Sequence, residues 1–372
     1  MDQIDFVAEG LLEGLDEPAR EARLQLLSEL TDAGVSLEEL RRAVTENRLA
    51  LLPVERVLGG EGRYTAAEVG QRSGLELEFL RRQWRAQGLA VPADDARAFN
   101  ERDLEAAQRV AALRAGGLPE EGILEVSRVL GMTMSQLAAA TRGLVADAFV
   151  RPGGDEYEIA GRLRQAGEVF APMLGDALSY LFDVHLREQI RHDAVATPLE
   201  AAGGPVGGQP ATVAFADLVG FTRLGEMLEP EELGRVTGRL AELAADVVEP
   251  PVRLVKLLGD AAMLVGQESA PVLEAAIALV EAAEREGESY PLLRAGVAAG
   301  SAIPRGGDWY GRPVNLASRI TSIARPGSVL TDENVREALE EDYTWSFAGS
   351  KKLKGVGEVR LFRCRRAAIA DA

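Results

Sequence analysis

One cysteine, two histidines and four lysines are all that this 372-residue chain holds of three residue types rich in chemistry. A lone Cys364 cannot close an internal disulfide, so nothing argues for an oxidising compartment. Both histidines, His185 and His192, precede residue 200, so chemistry further along the chain cannot use a histidine base or nucleophile. The start, Met1-Asp-Gln-Ile-Asp5, is acidic where a secretory signal is basic. No uninterrupted apolar run approaches the roughly 20 residues that span a bilayer. A cytoplasmic protein without a transmembrane segment is expected.

Positive charge is also scarce: 41 basic against 59 acidic residues give a net −18. Residues 1–195 hold 22 arginines and 34 acidic residues, or −12, which leaves −6 for residues 196–372. Such acidity repels polyanions, so no nucleic-acid partner is expected, and a nucleotide site must bring its own local cations or metal ions. The four lysines are Lys256, inside Lys256-Leu-Leu-Gly-Asp260, and the cluster Lys351, Lys352 and Lys354. A compact ammonium does work that a planar guanidinium does not.

Composition changes once along the chain. Residues 196–210 are rich in Gly and Pro and lack periodicity, which predicts a linker. Before it, over 1–195, apolar residues recur at helical spacing across Leu11–Leu27, Leu37–Val44, Leu104–Leu113, Ile123–Leu130, Leu137–Val150, Ile159–Gln165 and about Val169–His192, predicting an all-α domain. After it, over 211–366, strands alternate with helices. Strands are expected at Ala211–Ala216, Val252–Leu258, Ala261–Val265 and around Leu292–Ala299, with shorter ones near Val329, Trp345 and Val359–Arg363. Helices are expected at Pro230–Val248, Pro271–Glu286 and Pro313–Ala324. This is a βαββαβ α/β fold, a ferredoxin-like palm with additions, in a two-domain chain.

Asp217 falls where the first strand runs into Leu218-Val-Gly-Phe221-Thr222, a turn whose amides can converge on phosphate oxygens. Asp260 falls at the tip of a Gly-Asp hairpin. Pairing that hairpin with the first strand brings two carboxylates together, and a divalent cation between them resolves their repulsion. On the helix from Pro313, Leu316, Ile320 and Ile323 form an apolar stripe, which puts Asn315, Arg319 and Ser322 on a polar one. An amide that holds a ribose oxygen beside a guanidinium that neutralises phosphate is a working pair.

Residues 211–366 resemble the catalytic domain of class III adenylyl cyclases. The matching segments are Phe215-Ala-Asp217-Leu-Val-Gly-Phe-Thr222, Lys256-x-x-Gly-Asp260, Arg294-Ala-Gly-Val297, Asp308-Trp-Tyr-Gly-x-x-Val-Asn315-x-Ala-Ser-Arg319 and Leu353-Lys-Gly-Val356. The resemblance implies that Asp217 and Asp260 bind two Mg²⁺ or Mn²⁺ ions, with the Leu218 carbonyl as a further ligand. It implies that Lys256 and Asp308 select adenine, and so ATP over GTP, and that Phe221 and Thr222 belong to the substrate turn. Asn315 would orient the ribose, Arg319 would stabilise the transition state at the α-phosphate, and Lys354 would hold the β- or γ-phosphate. In this family the two aspartates come from one subunit and the other four groups from its partner, so a homodimer is implied. An extended strand separates Lys256 from Asp260 by about 13 Å, which suits service in different sites.

The helical half is similar to the autoinhibitory domain of pH-responsive mycobacterial-type cyclases. His185 and His192 are close to two turns apart and share a helix face. Histidine titrates near neutrality, and Asp193 or Glu188 beside them would raise its pKa. Inhibition relieved by acid is the expectation; a small-molecule or lipid effector in the helical half is the other stimulus considered. Residues 64–89 also read as helix, Gly74 turn, and helix with Arg81, Arg82 and Arg85, a helix-turn-helix pattern that binds DNA elsewhere. The acidity of this half favours a scaffold reused for packing. A catalytically silent nucleotide sensor would have lost one of the six residues, and no Gly-Gly-Asp/Glu-Glu-Phe segment points to a diguanylate cyclase.

Overall fold

The computed structural model describes residues 4–60, 62–149, 154–200 and 208–366. They divide into two compact units, 1–192 and 193–372.

The first unit is helical: α1 (Glu17–Asp32), α2 (Leu37–Thr45), α3 (Leu52–Gly59), α4 (Ala66–Ser73), α5 (Leu77–Ala86), α6 (Glu101–Ala115), α7 (Glu120–Phe149) and α8, which runs Glu156–Glu200. Two small cores hold it together. One gathers Leu26, Leu27, Leu40, Leu49 and Leu52; the other gathers Val69, Phe79, Leu80, Trp84 and Phe99. Each such buried side chain contributes roughly 1.5–3 kcal/mol.

Sequence periodicity splits helices here that are continuous. Residues Ile123–Leu130 and the stretch expected from Leu137, as far as Phe149, belong to α7, with Val150 outside the described residues, and Ile159–Gln165 and Val169–His192 belong to α8. Glycines at the apparent breaks serve packing instead. A Cβ on Gly131 would lie 2.3 Å from the Gln87 carbonyl oxygen, and one on Gly167 would lie 2.8 Å from Val54. Leu11 precedes α1 and sits in a turn. The expected linker 196–210 is also revised: residues 196–200 continue α8, 201–207 lie outside the described residues, and the next strand starts at Gln209.

The second unit carries an eight-stranded sheet. In chain order its elements are β1 (Gln209–Leu218), α9 (Phe221–Leu224), α10 (Pro230–Val247), β2 (Arg253–Leu258), β3 (Ala261–Gly266), α11 (Ser269–Arg285), β4 (Leu293–Arg305), β5 (Asp308–Gly311), α12 (Arg312–Ile323), β6 (Ser328–Thr331), α13 (Glu333–Ala338), β7 (Tyr343–Leu353) and β8 (Gly357–Arg366). The order β2-β3-β1-β4 is the antiparallel palm expected from βαββαβ, extended by β6-β8-β7, with β5 pairing β4. The strands expected to be short near Trp345 and Val359 form a long hairpin, β7 with β8.

β1 is buried on both faces, and its side chains alternate. Ala214, Ala216 and Leu218 pack toward α10 and α11, whereas Val213 and Phe215 pack toward α12. Asp217 therefore shares the α12 face. The same count on β4 puts Leu293, Ala295 and Val297 toward α11 and leaves Arg294 and Gly296 facing α12. Gly296 is where the helix comes closest: a Cβ there would lie 2.3 Å from the Thr321 nitrogen and 2.6 Å from the Ala317 oxygen. This explains the glycine in Arg294-Ala-Gly-Val297.

Candidate nucleotide and metal site

Asp217 and Asp260 meet at the open end of the β1–β3 pair. Asp217 stands opposite Ala261, and the Leu218 N–H donates to the Asp260 carbonyl at 2.9 Å. Leu258 pairs with Ala261, so Gly259 and Asp260 form a two-residue turn, which Gly259 allows by taking φ +63°. Asp260 is pushed above the usual carboxylate range, first by burial and then by the neighbouring Asp217. The site thus has more negative charge than it can easily hold.

Arg294 is the charge that balances it. β4 places Arg294 directly opposite Asp217, and its Nη2 and Nε donate to Asp217 Oδ2 at 2.7 and 3.1 Å. Its Nη1 donates to the Ser322 carbonyl at 2.9 Å, tying the carboxylate to the end of α12. In the sequence Arg294 stands out only as part of a segment that resembles the cyclase family. Its role depends on strand register, which becomes known only when β1 is paired with β4.

Lys256 and Asp308 come together as an ion pair. A register shift between Leu254 and Lys256 puts Lys256 opposite Met263, on the sheet face that α12 covers. Such bulges re-aim side chains near functional sites. Asp308 opens β5, opposite Arg305, and accepts from the Trp309 N–H at 2.8 Å. A cation with three donors and an anion with two acceptor oxygens thus stand side by side.

Asn315 and Arg319 are exposed, one turn apart on α12. That helix starts abruptly because Gly311 takes φ +148° with its Cα beside the β4 backbone; a Cβ would lie 2.9 Å from the Ser301 oxygen. Leu316 and Ile320 form its buried stripe as expected, but Ile323 is 41% exposed and does not belong to it. The reason is position: Ile323 is the last residue of α12, beyond the close approach at Gly296. Phe221 packs against the α10–α11 core, and Thr222 is exposed on the short helix α9 that Gly220 begins. Lys354 is exposed in the turn of the β7–β8 hairpin.

Residues 4–190 match the family described as adenylate cyclase regulatory domain, and residues 207–365 match the adenylate and guanylate cyclase catalytic domain. The chain is 42% identical over 373 aligned residues to the pH-sensitive adenylate cyclase MT1302 of Mycobacterium tuberculosis, covering 98% of this chain and 93% of that protein. The chain belongs to the class III adenylyl cyclases. An adenylate cyclase of Streptomyces griseus is 35% identical over 77% of this chain and 71% of its own length. One of Streptomyces coelicolor is 35% identical over 79% and 76%.

As an adenylate cyclase the chain has the donor set a divalent metal calls for: hard carboxylate oxygens, partly buried, in excess over their one guanidinium. Among the described residues no group of three or more His, Cys, Asp or Glu gathers. Asp217 and Asp260 are the residues that would hold such an ion. Also among the described residues, no helix of the cyclase is long and apolar enough to cross a membrane.

The helix-turn-helix is present in form, as α4, a left-handed Gly74 and α5, but two of its three basic residues are engaged by acidic side chains. Arg81 is bound by Asp94, and Arg82 donates to Glu120 at 2.5 Å and to Glu121 at 3.1 Å. His185 is exposed on α8, and the side chain of His192 lies outside the described residues. Glu188, expected to support His185, instead accepts from Arg191 at 2.6 Å.

Proposed function

We propose that the cyclase converts ATP to 3′,5′-cyclic AMP and pyrophosphate with two Mg²⁺ or Mn²⁺ ions held by Asp217 and Asp260, at a site completed by a second copy of the chain. The observation that carries this reading is the convergence of two carboxylates at the end of β1 and β3, where burial first and the neighbouring Asp217 second raise the proton affinity of Asp260. Bound metal ions would lower the pKa of the ribose hydroxyl and neutralise the triphosphate. The chain's own groups do the rest. Lys256 donates to a ring nitrogen of adenine and Asp308 accepts from its amine. Asn315 orients the ribose, and Arg319 meets the charge that grows on the α-phosphate as the 3′-oxygen attacks in line. The turn at Leu218, Phe221 and Thr222, with Lys354, serves the remaining phosphates.

Support for the dimer comes from layout. Within one protomer Asp217 is engaged by Arg294 and Lys256 by Asp308, while Asn315 and Arg319 point to solvent. A two-fold axis that sets one protomer's carboxylates against the other's α12 gives two equivalent sites. Asp308→Asn should erode the preference for ATP over GTP by about 10–100-fold, because an amide can donate to a guanine carbonyl where the carboxylate cannot. Competition kinetics with both nucleotides would measure it, and an unchanged ratio would remove Asp308 from base recognition.

We assign residues 1–195 a regulatory, autoinhibitory role, with acid as the signal through His185 and His192. The family match and the name of the Mycobacterium tuberculosis relative support this. The cavity of about 250 Å³ lined by Leu26, Leu30, Val57, Glu29, Arg56 and Arg164 is the place we assign to a small-molecule or lipid effector. Cyclic AMP formation from ATP, followed across pH for the full chain and for residues 200–372, tests the assignment. The short form should be active and lose the acid response, as should His185→Ala/His192→Ala in the full chain. A double variant with the wild-type pH profile ends the histidine role.

A further inference from the structure

One buried carboxylate has no part in the proposed chemistry. Asp332, between β6 and α13, is 3% exposed. Its side chain accepts from the Val335 N–H at 3.1 Å, capping α13, and from the N–H of Ala299 in β4. The second bond reflects a shortage of strand. β6 ends at Thr331, opposite Val297, and although the Asp332 N–H still reaches the Val297 carbonyl at 3.1 Å, a side chain takes over at Ala299. The Asn334 amide completes the exchange by donating to the Ala299 carbonyl at 2.9 Å. Both backbone groups of Ala299 are thus held by the turn that starts α13.

Beyond Ala299, β4 leads toward the nucleotide-recognition residues. From Ala302 to Arg305 the strand pairs with β5, ending at Arg305 opposite Asp308. Gly300 lies against Pro313 of α12, where a Cβ would sit 3.6 Å from the proline ring. The charge that acts on Asp332 is that of Arg312, the first residue of α12. On α13, Glu333 is bound by Arg360 and Arg336 by Glu340, and the β4 group that meets Asp332 is the neutral Ala299 backbone.

We propose that Asp332 is a positioning residue: as an anion it fixes the root of the β4–β5 hairpin that carries Asp308 and, through Arg312, the start of the helix that carries Asn315 and Arg319, so that its protonation slackens nucleotide recognition. The proposal rests on the reading of those three residues as substrate-facing. Burial pushes the Asp332 carboxyl up to about 6, against the pull of two N–H groups and Arg312. A proton on it turns one acceptor oxygen into a donor facing an N–H, and removes the attraction to Arg312. Because the folded pKa lies above the unfolded one, the stabilisation that Asp332 gives is complete below about pH 4 and is lost as pH rises through about 6. At neutral pH the anion is kept at a cost to stability.

The test compares the full-length wild type with Asp332→Asn and Arg312→Gln from about pH 5 to about pH 8, reading kcat/KM for ATP and thermal unfolding. Repeating it with both histidines replaced by alanine removes their separate pH response. In that histidine-free background kcat/KM should fall below about pH 6, mainly through KM, by on the order of ten-fold. Asp332→Asn should show the low-pH value throughout, and Arg312→Gln should move the acid limb to higher pH. Without substrate, Asp332→Asn should gain about 2–4 °C in Tm relative to wild type as pH rises from 5 to 7. An acid limb retained in Asp332→Asn, or a Tm difference independent of pH, overturns the proposal. If Asp332→Asn does not fold, an unmoved limb in Arg312→Gln does so. Should Asp308→Asn leave nucleotide choice unaltered while Asp332→Asn still removes the limb, the role of Asp308 fails and the tie stands.

Discussion

Alanine at Asp217 or at Asp260 should reduce kcat by at least about 10²–10³-fold, the scale on which removing one preorganised charge-stabilising group acts. The argument is local. Asp217 and Asp260 are the two carboxylates that meet here, and Arg294, already engaged with Asp217, repels the cation that a lone carboxylate would have to hold. The loss should not be one of folding. Asp260 sits in a two-residue turn, and removing it relieves like-charge repulsion, so its alanine variant should unfold at or above the wild-type temperature. Asp217→Ala leaves Arg294 its bond to Ser322, and only a small change is expected. Steady-state rates in Mn²⁺ and Mg²⁺ beside thermal unfolding curves would check both halves. Full activity in either folded variant would refute the metal assignment.

How much of this could be read beforehand depends on whether the signal was local. The Gly259-Asp260 turn, the start of α12 and its Leu316/Ile320 stripe are each written within a few residues, and the structure has them where expected, with α12 opening at Arg312, one residue before Pro313. The palm was legible for the same reason, since strands and helices alternate with clear periods. Features that depend on partners far along the chain were not. β5 has four residues, Asp308 to Gly311, too few for alternation to show, and it exists because β4 overruns its pairing with β6. The bulge at Val255 that turns Lys256 toward Asp308 has no composition of its own. Arg294 opposite Asp217, and Asp332 under Ala299, appear only once strand register is fixed. In the helical unit glycine misled: Gly131 and Gly167 look like breaks, but each is a point of close contact inside a continuous helix.

Two inactive variants should restore activity when combined, and this has the second largest effect. Asp217→Ala damages only the carboxylate side of a site, and Arg319→Ala only the guanidinium side. If the two sides come from different protomers, each homodimer has two broken sites. A heterodimer of the two variants has one site with both lesions and one with neither. Random assortment makes half the dimers mixed, each with one working site of two, so coexpression should return about a quarter of wild-type activity. The exposed position of Arg319 on α12 makes its alanine variant safe to assemble, and Asp217→Ala is expected to keep its fold because Arg294 retains the Ser322 carbonyl as a partner. Activity no greater than the mean of the two variants, in a mixture shown by mass to contain heterodimers, would mean that one protomer supplies both sides of its own site.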